Sequence, residues 1–328
     1  MPPFHHLPRP PRLPGKALAL AALAGLVFPV VPAQAAGCSG QGIEVQVLGS
    51  GGPETQTRRA ASSYVIWRDG RARVLIDAGG GSALRFGEAG ARMADLDLVL
   101  FTHLHADHSA DFPALVKSSY FEDRQRPLPV YGPQGNASFP SLPRFIQALF
   151  NADTGAFKYL SEYLTPGEGA YLLQPREIVP PSHGRRLAYD KDGIKAFATP
   201  VEHGIVPALA WRIEVDGQRL VFSGDTNGDN GNLEKLAADA DMFVAHNAVP
   251  EEATGPARRL HMPPSVIGRI AATARVKQLV LSHRMQRTLG READTRQRIA
   301  EQYKGAIVFA DDLDCFAAGK RPLGSPAP

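Results

Sequence analysis

The stretch "FTHLHADHSADFPAL", Phe101–Leu115, holds His103, His105, Asp107 and His108 within six positions. The whole chain has ten histidines in 328 residues, so three this close together ask for a common task. Alternate residues of an extended segment can aim at one point, so His103 and His105 can share one ion. Asp107 and His108 then turn toward a second position about 3.5–4 Å away, the spacing used by two-metal sites. Neutral imidazole nitrogen and carboxylate oxygen suit Zn²⁺. The apolar run "DLDLVL" just before the cluster reads as a buried strand, which would deliver the ligands from a rigid edge.

Four residues do not complete two coordination shells. Further candidates stand where other apolar runs end: His203 in "PVEHG", Asp225 in "FSGDT" and His283 in "VLSH". Each should emerge at one edge of a sheet. Beyond His5 and His6, five of the eight remaining histidines fit this arrangement.

The surrounding pattern fixes the fold class. "SSYVIWRDGRARVLIDAGGG" gives two strands about Asp69-Gly70, a hairpin signal. "ADFPALVKSSYFE" has helical spacing. Strands return in "GIKAFATPVEHG", "ALAWRIEVDGQRLVFSGDT" and "DMFVAHNAV", followed by the helix "PPSVIGRIAATARV", the strand "KQLVLSH" and the helix "READTRQRIAEQY". Two strand-rich halves with intervening helices predict an α/β chain, an αββα sandwich of two mixed β-sheets flanked by helices. Residues 139–171 stand out as an insert with seven aromatics in 33 positions, either a helical core or an apolar wall over a pocket.

The cluster and its partners resemble the metallo-β-lactamase fold superfamily, whose HxHxDH signature stands here as His103, His105, Asp107 and His108. The resemblance implies that His103, His105 and His203 hold one zinc, that Asp107, His108 and His283 hold a second, and that Asp225 bridges them. Within that superfamily the pieces "LGSGGP", "LIDAGGG" and "VYGP", with His261 before a helix and "VKQLVLSH", are similar to the ribonuclease Z and arylsulfatase-like branch. The same resemblance sets His261 beside the metals as a catalytic group, with Asp107 orienting the nucleophile. One departure is visible. Where ribonuclease Z has His-Glu-Ala, this chain has His246, Asn247 and Ala248, so a glutamate is missing. Asn247 can hydrogen-bond but cannot stabilise an imidazolium by charge, which makes His246 a structural residue.

The first 35 residues read as an export signal: Arg9, Arg12 and Lys16, then "ALALAALAGLVFPVV" and "PAQAA". Residues 36–328 then form a single hydrolase domain, periplasmic or secreted, with no membrane contact beyond the signal. Three of the 36 basic residues and none of the 33 acidic ones lie in the signal, so the rest of the chain is charge-balanced. That balance, and export, set nucleic acid aside as an expected partner in favour of a small anionic or ester substrate. In an exported chain Cys38 and Cys315 can pair; two free thiols, or a lipid on Cys38, are the alternatives. A homodimer remains open.

The expected activity is hydrolysis of a sulfate ester or phosphodiester by a dizinc centre, arylsulfatase-like. A lactonase or β-lactamase-like hydrolase, or a mononuclear iron oxygenase on the same fold, are the alternatives.

Overall fold

In the computed structural model, the chain divides into two units, Met1–Gln34 and Ala35–Pro328. The structure describes residues 38, 40–165, 167 and 171–319, all in the second unit. The export signal expected in residues 1–35 lies outside the described residues.

The strands run β1 (Ile43–Gly49), β2 (Ser63–Arg68), β3 (Arg71–Ile76), β4 (Leu98–Leu100), β5 (Leu128–Pro133), β6 (Leu173–Ile178) and β7 (Arg186–Lys191). They continue as β8 (Ile194–His203), β9 (Val206–Val215), β10 (Gln218–Phe222), β11 (Met242–His246), β12 (Gln278–Ser282), β13 (Ala306–Phe309) and β14 (Cys315–Ala317). They form two seven-stranded sheets, ordered β14-β1-β2-β3-β4-β5-β6 and β13-β12-β11-β10-β9-β8-β7. Each is mixed: β3 to β6 pair in parallel in the first, β10 to β13 in the second, and the remaining neighbours pair antiparallel. The expected Asp69-Gly70 turn joins β2 to β3, with φ of 50° and 73°, the left-handed pair that a twisted two-residue hairpin requires.

Strand alternation decides what each face buries. Val45, Tyr64, Ile66, Ile76, Leu100, Trp211, Phe222, Val244 and Val280 point inward and form the core between the sheets. The helices are α1 (Ser82–Glu88), α2 (Ala106–Ser109), α3 (Phe112–Ser118), α4 (Leu142–Phe150), α5 (Asn232–Leu236), α6 (Gly255–Leu260), α7 (Pro264–Thr273) and α8 (Glu292–Ala300). Phe86 of α1, Leu115 of α3 and Ile146 of α4 cover Val65, Leu75 and Val99 on the outer face of the first sheet. Leu233 of α5, Ile267 of α7 and Ile299 of α8 do the same for Val221, Phe243 and Leu279 on the second. The result is the expected αββα sandwich.

Local sequence explains the helices that matter for the site. In α4, Leu142, Ile146 and Phe150 recur every four residues and are buried, after an extended N-cap at Ser141 and a proline in the first turn. At its end, Asn151 Oδ1 accepts the backbone N–H groups of Asp153 and Thr154 and turns the chain away. The aromatic segment is a helical core in the main: Phe150, Tyr163 and Tyr171 are buried, while Phe157 and Tyr159 are exposed. Phe139 alone reaches the histidines, 6.2 Å from the ring of His105. Cys38 and Cys315 are bonded and tie the start of the described chain to β14. No helix of the described residues is long and apolar enough to cross a membrane.

Candidate metal centre

The C-terminal ends of the parallel strands of both sheets face one another along one edge, where ligands of open α/β sheets collect. His103 and His105 follow β4, and Asp107 and His108 sit on α2, which begins immediately after. His203 ends β8, Asp225 follows β10, His246 ends β11 and His283 follows β12. His261 is the C-cap of α6. His283 adopts φ 53°, a left-handed conformation that a non-glycine residue holds only when its surroundings impose it.

All seven proposed ligands converge. His105 Nδ1 lies 3.1 Å from His103 Nε2 and 3.4 Å from His203 Nε2. Asp107 Oδ2 lies 3.2 Å from His283 Nε2 and 3.7 Å from His108 Nε2. Asp225 stands between the two groups. Its Oδ2 is 3.9 Å from His103, 3.7 Å from His203 and 3.7 Å from His108, and its Oδ1 is 3.4 Å from His283. Three ring nitrogens facing one another at hydrogen-bond distance cannot all be satisfied by protons, and a cation is what such a set accepts. His108 Nε2 and His283 Nδ1 are buried with no partner among the described residues. The donors therefore fit a metal, and nitrogen–oxygen sets of this kind suit zinc.

Charge is tuned accordingly. Burial, with His108 close by, holds His103 well below the ordinary imidazole range. Burial lowers His105 too. Burial would raise Asp107 and Asp225, yet the surrounding histidines hold both below the usual carboxylate range. His261 is pushed down to about 4, mainly by burial, and the Arg287 charge adds to the effect. It is therefore neutral at pH 7. His261 Nδ1 lies 3.8 Å from Asp225 Oδ2.

Four residues that the sequence left outside the metal set surround the centre. Asp77, at the end of β3, is fully buried; its Oδ2 lies 2.8 Å from His108 Nδ1 and accepts a hydrogen bond from Thr102 Oγ1. His246 is within reach of the second group, but its Nδ1 is 2.7 Å from Asp225 Oδ1 and its Nε2 is 3.0 Å from the Tyr64 hydroxyl. With both nitrogens engaged, it is placed to orient Asp225. Arg287 donates through Nε to the carbonyl of Ala248 at 2.6 Å and has no carboxylate partner among the described residues. Asn247 is buried, and neither atom of its amide has a partner among the described residues.

Comparison with known proteins bears on this arrangement. Residues 72–284 match the Beta-lactamase superfamily domain. Ribonuclease Z of Mycolicibacterium paratuberculosis is 31% identical over 284 residues, 83% of this chain and 96% of that protein. Ribonuclease Z of Mycobacterium sp. (strain KMS) is 32% identical over 285 residues, 83% of this chain and 94% of that protein. Two solved structures share the fold. Human tRNase Z, short form, has a TM-score of 0.63 at 22% identity, covering 84% of this chain and 99% of its own. The metallo-beta-lactamase fold protein YhfI from Bacillus subtilis has a TM-score of 0.62 at 19% identity, covering 84% and 98%. The relatives overturn one expectation, that nucleic acid is an unlikely partner: the two mycobacterial relatives are ribonucleases. A balanced net charge averages over the surface and hides local basic faces.

Proposed function

The chain belongs to the Beta-lactamase superfamily and is a hydrolase of the metallo-β-lactamase fold, and on that premise we propose that it is an exported dizinc phosphodiesterase whose substrates include polynucleotides. The observation that carries the reading is the convergence of His103, His105 and His203 on one side of Asp225, with Asp107, His108 and His283 on the other. Of the two ester classes expected from the sequence, the ribonuclease Z relatives support the phosphodiester.

His103, His105 and His203 would hold the first ion, Asp107, His108 and His283 the second, with Asp225 shared. When bound, two zinc ions supply an activated water nucleophile and offset the charge that develops on the attacked phosphate. Asp107, kept ionised by His108 and His283, orients that water and accepts its proton. His261 is the group beside Asp225 that lies free of the proposed ligand set. Being neutral, it hydrogen-bonds the phosphate and relays a proton to the leaving oxygen. Arg287, anchored by its Nε, offers its remaining N–H groups to a phosphate oxygen.

The Cys38–Cys315 bond supports an oxidising compartment, in keeping with an export signal in residues 1–35. A chelator should abolish turnover of a bis-aryl phosphate and of a short RNA, and zinc should restore both. His261→Ala should lower kcat by about 10²–10⁴-fold, with the smaller loss on the aryl substrate. Full activity in zinc-free protein, or turnover of an aryl sulfate but of neither phosphodiester, would defeat the reading.

A further inference from the structure

A second cleft lies beside the loop that carries Phe139. It has a volume of about 710 Å³, and its walls include Asn136, Ser141, Arg144, Arg176 and Glu177. That volume is in the range of sites that take a nucleotide-sized group. The N-terminus of α4 opens onto it with its positive dipole end, Pro143 of the first turn having no N–H to offer. Ser141 is 8% exposed, makes no capping hydrogen bond, and lines the cleft with its hydroxyl unused. Arg144 and Arg176 are exposed, and neither has a carboxylate in ion-pair contact among the described residues. Glu177 is the single carboxylate of the lining, so the wall carries a net positive charge. The cleft is also held open by its loop. A Cβ on Gly135 would come within 2.6 Å of the Ser141 nitrogen.

Asn136 links this cleft to the metal centre. Its Nδ2 donates at 2.8 Å to the carbonyl of Ile205, two residues beyond His203. Its Oδ1 accepts from the backbone N–H groups of Ser138 and Phe139, which fixes the turn that leans Phe139 toward His105. One short loop therefore separates the two sites. From this geometry we infer that the cleft at the start of α4 is a phosphate subsite, and that its occupant is a phosphate of the same polynucleotide strand whose scissile group lies at the metals. The inference rests on the phosphodiesterase reading for its occupant. Phe139 and the exposed Ile205, on the ridge between, would meet the intervening base.

The test compares the zinc-loaded parent with the double variant Arg144→Ala/Arg176→Ala and with Arg144→Lys/Arg176→Lys. The alanine pair should raise KM for a short single-stranded RNA about tenfold with kcat kept, and leave both constants unchanged for a bis-aryl phosphate, which is too small to span the loop. The slope of log KM against log salt should fall by about one to two, and the lysine pair should recover most of the loss. Unchanged KM for RNA, or an equal loss on both substrates, overturns the subsite. If the parent cleaves neither substrate, the phosphodiesterase reading fails by itself and the subsite is judged by binding. Labelled RNA should then bind the zinc-loaded parent about tenfold more tightly than the alanine pair. Equal affinity overturns the inference. Displacement of the RNA by inorganic phosphate at equal concentration overturns the strand as its occupant.

Discussion

Asp77 shows how much of a metal centre can rest on a residue that touches no metal. Its Oδ1 accepts the Thr102 backbone N–H at 2.7 Å, and its Oδ2 accepts the Thr102 hydroxyl and faces His108 Nδ1. An ionised carboxylate there can only accept, so the imidazole proton sits on Nδ1 and Nε2 is left bare toward the centre. Burial pushes Asp77 up, and the contacts with His108 and the Thr102 hydrogen bonds oppose that. We expect Asp77→Asn to fold and to bind zinc about 10–100-fold more weakly, because an amide can present its N–H₂ to Nδ1 and favour the wrong tautomer. Competition with a chelator measures it; unchanged affinity would remove Asp77 from the centre. In the sequence the ligands were legible because HxHxDH is dense and its partners end apolar runs. Asp77 was not, because a lone aspartate after a strand has many uses and its partner lies 31 positions away. Arg287 was missed for the same reason: its anchor, Ala248, is 39 residues distant.

At the level of elements, the site depends on a turn passing beneath it. β3 ends in Asp77-Ala78-Gly79, and a Cβ placed on Gly79 would fall 2.2 Å from the carbonyl oxygen of Asp107 and 2.8 Å from Ala61. The contact is with backbone, so no side-chain rotation relieves it. Gly79→Ala should therefore cost about 1–3 kcal/mol and push α2 away from the second ligand group. A lowered urea midpoint with less zinc bound than in the parent is the expected pair of results. An unshifted midpoint with full metal content would show that the turn has slack. The hairpins and the helices α7 and α8 were readable, since their turns and periodicities are local. The region after the cluster was readable only in part: "ADFPALVKSSYFE" carries α3 from Phe112 as its helical spacing predicts, but the separate short α2, Ala106–Ser109, which breaks off just before it, gave no such signal. Pro113 belongs in a first turn, and Asp111 Oδ2 accepts the Ala83 N–H of α1, so tertiary contact imposes the break. The break frees α2 to present Asp107 and His108.

Over the whole molecule, the sandwich was legible because inward and outward faces alternate with the strand period. The order of strands was not, because it is written in pairings such as β1 with β14 that span nearly the entire chain. Charge was read least well: balance over the chain concealed the basic cleft at α4. Charge buried within the sandwich leads to a prediction about acid stability. Asp241 joins β10, β11 and the loop before β12, accepting the Arg219 N–H at 2.8 Å and meeting Lys277 Nζ at 2.7 Å, with 4% of its side chain exposed. Burial would raise its pKa, but the Lys277 and Arg219 hydrogen bonds prevail and hold it below the usual carboxylate value. A folded-state value below the unfolded one means that the unfolded chain binds the proton first as pH falls. The contribution of Asp241 is thus full above the ordinary carboxylate range and disappears as pH drops through its lowered folded value. Asp241→Asn should cost about 1–3 kcal/mol at pH 7 and at pH 5, since it strips the charge from the acceptor of two hydrogen bonds whose carboxylate is buried. Urea midpoints of parent and variant should converge at the acid end of the titration, once the pH has fallen through the lowered folded value of the carboxyl group. A gap that persists undiminished at that pH would mean that Asp241 acts through packing, and that the charge of its carboxylate contributes nothing to holding the second sheet together.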